Sequence, residues 1–242
     1  MQFVLDLHCH TVNSGHAYST ITENAAYAKK IGLTHIGIAD HGPGMPGGAH
    51  LYHFTNIWIL PEIIEGVRVL KGAEANIIEE SGKLDLDNQW LEKLDFVIAS
   101  FHRGSYPATD KQTHTKAFIN AMQNPNVHIL GHPADYWFEI DIEAVIREAA
   151  KTGTIIELND KTLDPSSYRH VGEKVFEDMM LLCNELKVPV LASSDAHFAT
   201  LVGDFHRAKA MLERLKIDES LILNTDYEKV LKAIANKRAL MS

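Results

Sequence analysis

Along the 242-residue chain, short apolar runs rich in Val, Ile and Phe alternate with longer stretches in which apolar residues return every three or four positions. The short runs have the length and composition of buried strands, and the longer ones have the period of amphipathic helices. Seven strands are predicted, at Phe3 to Leu7, His35 to Ala39, Val67 to Gly72, Phe96 to Ser100, Val127 to Leu130, Thr154 to Leu158 and Pro189 to Ser193. Helices are predicted between them, at Glu23 to Ile31, Thr113 to Gln123, Ile142 to Lys151, Val171 to Leu186, Phe205 to Leu215 and Tyr227 to Asn236. Such alternation predicts an α/β fold built of repeated βα units rather than a sandwich or a bundle. One segment breaks the rhythm. Residues 42 to 50, Gly-Pro-Gly-Met-Pro-Gly-Gly-Ala-His, carry four Gly and two Pro, which suits a loop lying over a site and not a helix. No linker or low-complexity stretch divides the chain, so residues 1 to 242 are read as one domain.

Composition narrows the function classes. Lys and Arg number 23 against 32 Asp and Glu, a net charge of −9 with histidine neutral, and no Lys/Arg cluster reverses that sign locally. An acidic surface repels nucleic acid and anionic membranes, so neither is an expected partner. No apolar run reaches the roughly 18 residues of a membrane span. Two cysteines are too few for a disulfide framework and the first residues lack a secretory pattern, so the cytoplasm is the expected location. The outlier is histidine, with 14 residues.

Those histidines are not scattered. Six of the strand runs lead within a few residues into a group that binds metals: His8-Cys9-His10, His41, Glu74, His102, His132 and Asp195-Ala196-His197. The carboxyl ends of parallel strands converge on one face, so the six runs aim their ligands at one place. In extended chain the side-chain period is two, so His8 and His10 project together, as do Asp195 and His197. By the same parity Cys9 turns away and is read as a packed thiol.

These residues carry a family resemblance. Asp6-Leu7-His8-Cys9-His10-Thr11, His16, Asp40-His41, Glu74, His102, His132 and Asp195-x-His197 resemble the motifs of the PHP superfamily, named for polymerase and histidinol phosphatase. His16-Ala17-Tyr18-Ser19-Thr20, His41-Gly42-Pro43 and Lys71-Gly72-x-Glu74-Ala75-Asn76 look like its YcdX-like phosphatase branch. The resemblance implies a distorted seven-stranded (βα)7 TIM-like barrel and three divalent metal ions. His8, His10, Glu74 and Asp195 would hold the first ion, Glu74, His102 and His132 the second, and His16, His41 and His197 the third. Glu74, Asp195 and His197 would stand at the catalytic centre. Seven imidazoles and two carboxylates suit Zn²⁺ first, with Mn²⁺ or Fe²⁺ as alternatives, better than the oxygen-seeking Mg²⁺ or Ca²⁺.

Clustered cations lower the pKa of a shared water and neutralise phosphoryl oxygens during in-line displacement. The expected activity is therefore hydrolysis of small phosphomonoesters by a metal-bridging hydroxide. Around the ligands, Asp40 is read either as orienting an imidazole or as a plain strand-end carboxylate, and Asn159 either as holding a bound water or as capping a turn. Arg103, Lys111, Arg169 and His170 fall in loops on the same face, as phosphate clamps or as solvated charges. His50 and His53 close the Gly/Pro-rich loop and are candidates to reach substrate. Tyr18, Trp58, Trp90 and Trp137 are read as packing residues. The competing readings are a histidinol-phosphate phosphatase, a phosphodiesterase or nuclease of the same superfamily, an amidohydrolase, and a metal-binding regulatory domain. The nuclease wants a basic groove, and the amidohydrolase wants a lysine where His102 stands. A degenerate regulatory domain would lack ligands. Substrate identity and self-association into a homo-oligomer are left open by the sequence.

Overall fold

Seven parallel strands curve into a nearly closed barrel in the computed structural model of the chain, which describes residues 1–241. The order of elements is β1 (Leu5–Cys9), α1 (Ile21–Lys30), β2 (His35–Ile38), α2 (Leu51–Asn56), β3 (Ile63–Ile64), β4 (Val67–Asn76), α3 (Asn88–Leu91), β5 (Phe96–Ser100) and α4 (Lys111–Ala121). It continues with β6 (Ile129–Leu130), α5 (Ile142–Thr152), β7 (Ile155–Asn159), α6 (Asp160–Leu163), α7 (Glu173–Leu186), β8 (Val190–Ser193), α8 (His206–Arg214) and α9 (Tyr227–Leu240). The spatial order is β1-β2-β4-β5-β6-β7-β8 with parallel pairing throughout, and β3 adds an antiparallel arm to β4. All seven predicted strands are there. The arm arises at Glu65 and Gly66, which both have positive φ, the backbone of a tight two-residue hairpin.

Local chemistry sets the helix ends. Thr20 and Glu23 form a reciprocal capping box that starts α1 two residues before the predicted Glu23. Asp110, Asp141 and Asp226 cap α4, α5 and α9 through their side chains. Gly153 ends α5 in the left-handed conformation. No helix among the described residues is long and apolar enough to cross a membrane.

One irregularity decides where the ligands point. Between Asp6 and Cys9 the register of β1 against β2 slips by one residue, a β-bulge. Before the bulge Leu5 and Leu7 join the apolar cluster inside the barrel, and after it His8 and His10 face inward while Cys9 joins the outer core beneath the helices. The interior therefore changes character along the axis. Leu5, Leu7, Leu70, Phe96, Ile98, Ile129, Ile155 and Leu191 fill the amino-terminal end, where Leu223, Val230 and Ile234 from the last segment pack on them. The Phe96 ring occupies the space where a Cβ on Gly37 or Gly72 would stand, at 2.6 and 2.3 Å. Both positions must be glycine for the ring to lie across the barrel.

The barrel closes at a seam rather than a ladder. The His10 N–H donates to the Ala196 carbonyl (2.8 Å) and the Ala196 N–H to the His8 carbonyl (3.1 Å). Lower down, Asn224 stands in for a strand. Its carbonyl accepts from the Val4 N–H and its Oδ1 from the Ala192 N–H, both at 2.8 Å, and its Nδ2 donates to Leu5 and Ala192 carbonyls at 3.2 and 2.8 Å.

Candidate metal centre

The carboxyl ends of the strands bring all nine sequence-predicted ligands to the mouth of the barrel. Glu74 lies at its middle, fully buried, with Oε2 2.8 Å from His41 Nδ1, 3.3 Å from His8 Nε2 and 3.5 Å from His10 Nε2. Its Oε1 faces His132 Nε2 at 3.0 Å and His102 Nε2 at 3.3 Å. Asp195 Oδ1 is 3.2 Å from His10 Nε2 and 3.7 Å from His8 Nε2. At the outer edge His16 Nε2 meets His197 Nε2 at 2.9 Å. Ligands about 2.1 Å from a tetrahedral zinc stand roughly 3.4 Å from each other, so these separations are of the right size. At this centre three sets among the described residues have ligand atoms mutually within 4.8 Å: His8, His10 and Glu74; His41, Glu74 and His102; and His10, His41 and His197. His41 thus stands between the edge pair and Glu74.

Polar atoms buried without partners cost about 1–3 kcal/mol each, so a cluster of them calls for an explanation. Among the described residues His8 Nε2, His10 Nε2, both nitrogens of His41, Glu74 Oε2 and His102 Nε2 are buried and lack hydrogen-bond partners. Five more such atoms, on Asn24, His53, Ser100, His128 and Trp137, stand singly elsewhere, so the centre is where they gather, and divalent cations fit the atoms there. The electrostatics divide the imidazoles: against burial, Glu157, Glu74 and Asp195 hold His8 well above its ordinary pKa, whereas other rings go the opposite way. Burial, with His41 and His197 as like-charged neighbours, drives the His10 imidazole well below its ordinary pKa. Burial also brings His102 to about 3 and His197 to about 4, so these rings are the neutral donors a cation requires. Burial alone would raise Glu74 and Asp195, yet the surrounding imidazoles hold both well below the usual carboxylate range. Two ligands, His132 (φ 28°) and Asp195 (φ 51°), carry strained positive φ angles.

Behind the ligands lies a second layer of fixed groups. Asp40 accepts from the Thr11 N–H and Oγ1–H and from Ser14 Oγ, all at 2.7 Å, while Ser14 Oγ is 3.3 Å from His10 Nδ1. Asp40 thereby orients His10 through Ser14. Asn159 caps α6 through the Thr162 N–H, the turn-capping role read from the sequence, and its amide donates to Asp195 Oδ2 at 3.2 Å, a contact the sequence did not suggest. Glu157 was missed. Wholly buried on β7, its Oε1 is 2.6 Å from His8 Nδ1 and accepts from Ser193 Oγ at 2.5 Å, and its Oε2 accepts from the His132 N–H at 2.6 Å. Its signal was a lone carboxylate within the apolar run Ile155-Ile156-Glu157-Leu158.

The substrate-side candidates separate. Arg169 is held 3.4 Å from Asp195 Oδ2 and 3.6 Å from Asp135, and these carboxylates keep it charged against burial. Lys161, also missed, donates to the Asp195 carbonyl (3.1 Å) and lies 3.5 Å from His197 Nδ1. With His16, Tyr168 and the ligands Asp195 and His197, these two line an open pocket of about 440 Å³. Arg103 stacks over the Trp137 ring at 4.0 Å. His53, a half-buried residue of α2, turns its Nε2 inward to Asp40 Oδ2 at 3.1 Å rather than out toward substrate. His50 caps α2 through the Tyr52 N–H, His170 bonds the Thr162 carbonyl, and Lys111 pairs with Glu139 at 3.6 Å, so none of these three joins the centre. Tyr18 and Trp58, expected to pack, are 72% and 70% exposed.

The model of the PHP domain matches residues 6–164. A probable phosphatase of Caldanaerobacter subterraneus subsp. tengcongensis is 46% identical over 239 residues, 98% of this chain and 93% of that protein. One of Acetivibrio thermocellus is 41% identical, covering 98% of each. Among solved structures, histidinol phosphate phosphatase of Lactococcus lactis subsp. lactis, complexed with zinc, L-histidinol and phosphate, superposes with a TM-score of 0.63 over 88% of this chain and 94% of that one, at 18% identity. At that identity the likeness speaks for the fold. Family match, relatives and barrel agree: the chain belongs to the PHP domain family.

Proposed function

We propose that this PHP-family phosphoric ester hydrolase removes phosphate from small monoesters at a centre of three divalent cations, with zinc the expected metal and manganese or iron the alternatives. The observation that supports this reading is the set of buried, partnerless ligand atoms on His8, His10, His41, Glu74 and His102. His16, His132, Asp195 and His197 would complete the ligand set. Cations held there supply a water ionised near neutral pH and positive charge against the phosphoryl oxygens.

The chain's own groups do the rest. Glu157 and Ser14 fix the His8 and His10 rings so that Nε2 of each faces the centre. Arg169 and Lys161 flank Asp195 at the pocket wall, where their N–H groups would grip phosphate oxygens. The opening beside them is about the size of a small ligand, whereas a polymer would have to lie on the acidic exterior. Elemental analysis of the purified protein, with the same sample assayed on phosphomonoesters, histidinol phosphate and phosphodiesters, tests the reading. Two or three tightly held metals per chain and phosphate release from monoesters are expected. Fewer than two metals, or release from diesters alone, would overturn it.

A further inference from the structure

Asp85 lies outside every ligand motif, on the segment between β4 and α3, and its half-buried carboxylate sits against the Gly/Pro-rich loop of residues 42–50. It accepts from the Gly44 N–H (2.8 Å) and the Asn76 N–H (2.8 Å), and takes a third bond from the Asn76 side-chain amide (2.5 Å). That amide also donates to the Gly42 carbonyl at 3.2 Å. Its oxygen accepts from His102 Nδ1 at 2.7 Å and from Ser105 Oγ at 3.1 Å. The chain of contacts runs from loop backbone to carboxylate, from carboxylate to amide, and from amide to imidazole. Because the Asn76 N–H₂ is spent on Asp85 and Gly42, only its oxygen faces His102. The ring must then carry its proton on Nδ1 and leave the Nε2 lone pair toward Glu74.

The loop is shaped to this carboxylate. A Cβ on Gly42 would stand 2.3 Å from Asp85 Oδ2, and one on Gly44 would stand 2.9 Å from Asp85 Cβ. The two glycines therefore let the loop backbone reach a carboxylate that a side chain at either position would push away. The same loop starts at His41, whose neighbour Gly42 donates its N–H to the Glu74 carbonyl at 2.9 Å.

We infer that Asp85 is a positioning residue that ties closure of the 42–50 loop to the ligand-ready state of His102, so that cation binding and loop ordering are thermodynamically linked. The inference rests on the metal reading proposed above, and it identifies a residue that touches neither metal nor substrate. Linkage is reciprocal. Whatever loosens the loop must weaken the cation, and the cation must tighten the loop.

The test uses the full chain with Zn²⁺ as the probe. Hydrogen exchange of the peptide covering residues 42–50 is followed with and without Zn²⁺, beside a Zn²⁺ titration. In the wild type Zn²⁺ is expected to slow exchange in that peptide. Asp85→Asn keeps the volume but sets an N–H₂ against the donors of Gly44 and Asn76. It should abolish the Zn²⁺-dependent slowing and lower Zn²⁺ affinity by roughly 10–100-fold, the range seen when the partner behind a ligand is lost, while exchange in α9 stays unchanged. Gly44→Ala, which keeps the carboxylate and wedges the loop away, should weaken Zn²⁺ in the same direction and carries the test if Asp85→Asn does not fold. Unchanged Zn²⁺ affinity beside a loosened loop, in either variant, would make Asp85 a brace of the loop only and overturn the linkage. A wild type that takes up no Zn²⁺ would instead remove the metal reading, and this inference with it.

Discussion

The two ends of the barrel are built on opposite principles. At the amino-terminal floor Leu5, Leu7, Leu70, Phe96, Ile98 and their neighbours make one dry cluster, and Asn224 satisfies four backbone groups across the seam. At the carboxyl-terminal mouth the interior turns polar within one or two residues of each strand, and the partnerless atoms of His8, His10, His41, Glu74 and His102 lie there beside two strained φ angles. The floor holds the fold together, whereas the mouth holds ligands in an arrangement that polypeptide alone would not favour. A PHP barrel of this kind keeps stability and chemistry on separate layers. Changes at the floor should act on folding, and changes at the mouth on metal.

That contrast can be broken from either end. The largest effect is expected at the floor. Asn224→Ala strips partners from the Ala192 N–H and from the Leu5 and Ala192 carbonyls, which at about 1 kcal/mol or more per buried group should cost on the order of 3 kcal/mol. In a chain of this size that lowers Tm by roughly 6–12 °C. Calorimetry would show it, while the metal content of the folded fraction should not change; loss of metal with an unchanged Tm would reverse the assignment of the two ends.

Next comes the mouth. Glu157→Gln leaves a group near His8 but turns an N–H₂ toward the His132 N–H, two donors face to face. Metal affinity should fall about 10–100-fold. Tm of the metal-free protein should hold within a few degrees, and a metal titration beside a melt separates the two readouts. Equal metal affinity in the variant would remove Glu157 from the group that orients ligands.

The smallest effect concerns Lys237 of α9, wholly buried with its ammonium on the Met122 carbonyl. Burial pulls its pKa down to about 8 from the ordinary 10.5. A base depressed in the fold binds its proton more weakly than it does in the unfolded chain. The penalty is therefore fully present below pH 8, and stability from this group rises as pH climbs from 8 toward 10.5. Lys237→Met should accordingly match or exceed wild type at pH 7, by on the order of 1 kcal/mol after allowing for the lost hydrogen bond, and that margin should shrink by pH 10. Melts at the two pH values decide it. A margin that grows with pH would show that burial of the charge carries no cost here.

How much of this could be read from the sequence followed a physical line. Strands and most of the candidate ligands were legible together because those candidates sit within a few residues of the end of an apolar run; His16, in the loop after β1, was read only from the family resemblance. His8 and His10 were paired correctly by parity, but the bulge that lets Leu7 and His8 share one side has no composition signal. Lys161 escaped because α6 is a single turn, too short for a pattern to show. Lys111 was placed on the mouth by loop order alone, and the start of α4 carries it out to Glu139. Asn224 lies among short 3₁₀ turns, where nothing marks one asparagine as a stand-in for a strand. Groups that act along one strand could be read, and groups that act across the barrel could not.

The seam has a consequence in time. Its partners are the first strand and the last third of the chain: His8 and His10 meet Ala196, and Leu5 meets Asn224. During synthesis β1 emerges first and must wait, unpaired on one side, until these late residues have left the ribosome. Joining segments so far apart in sequence carries the chain-entropy cost of long-range contacts, which makes closure a slow step of folding. Asp195 stands on one lip of that seam and the two histidines on the other, so the proposed ligand set is complete only once the barrel shuts.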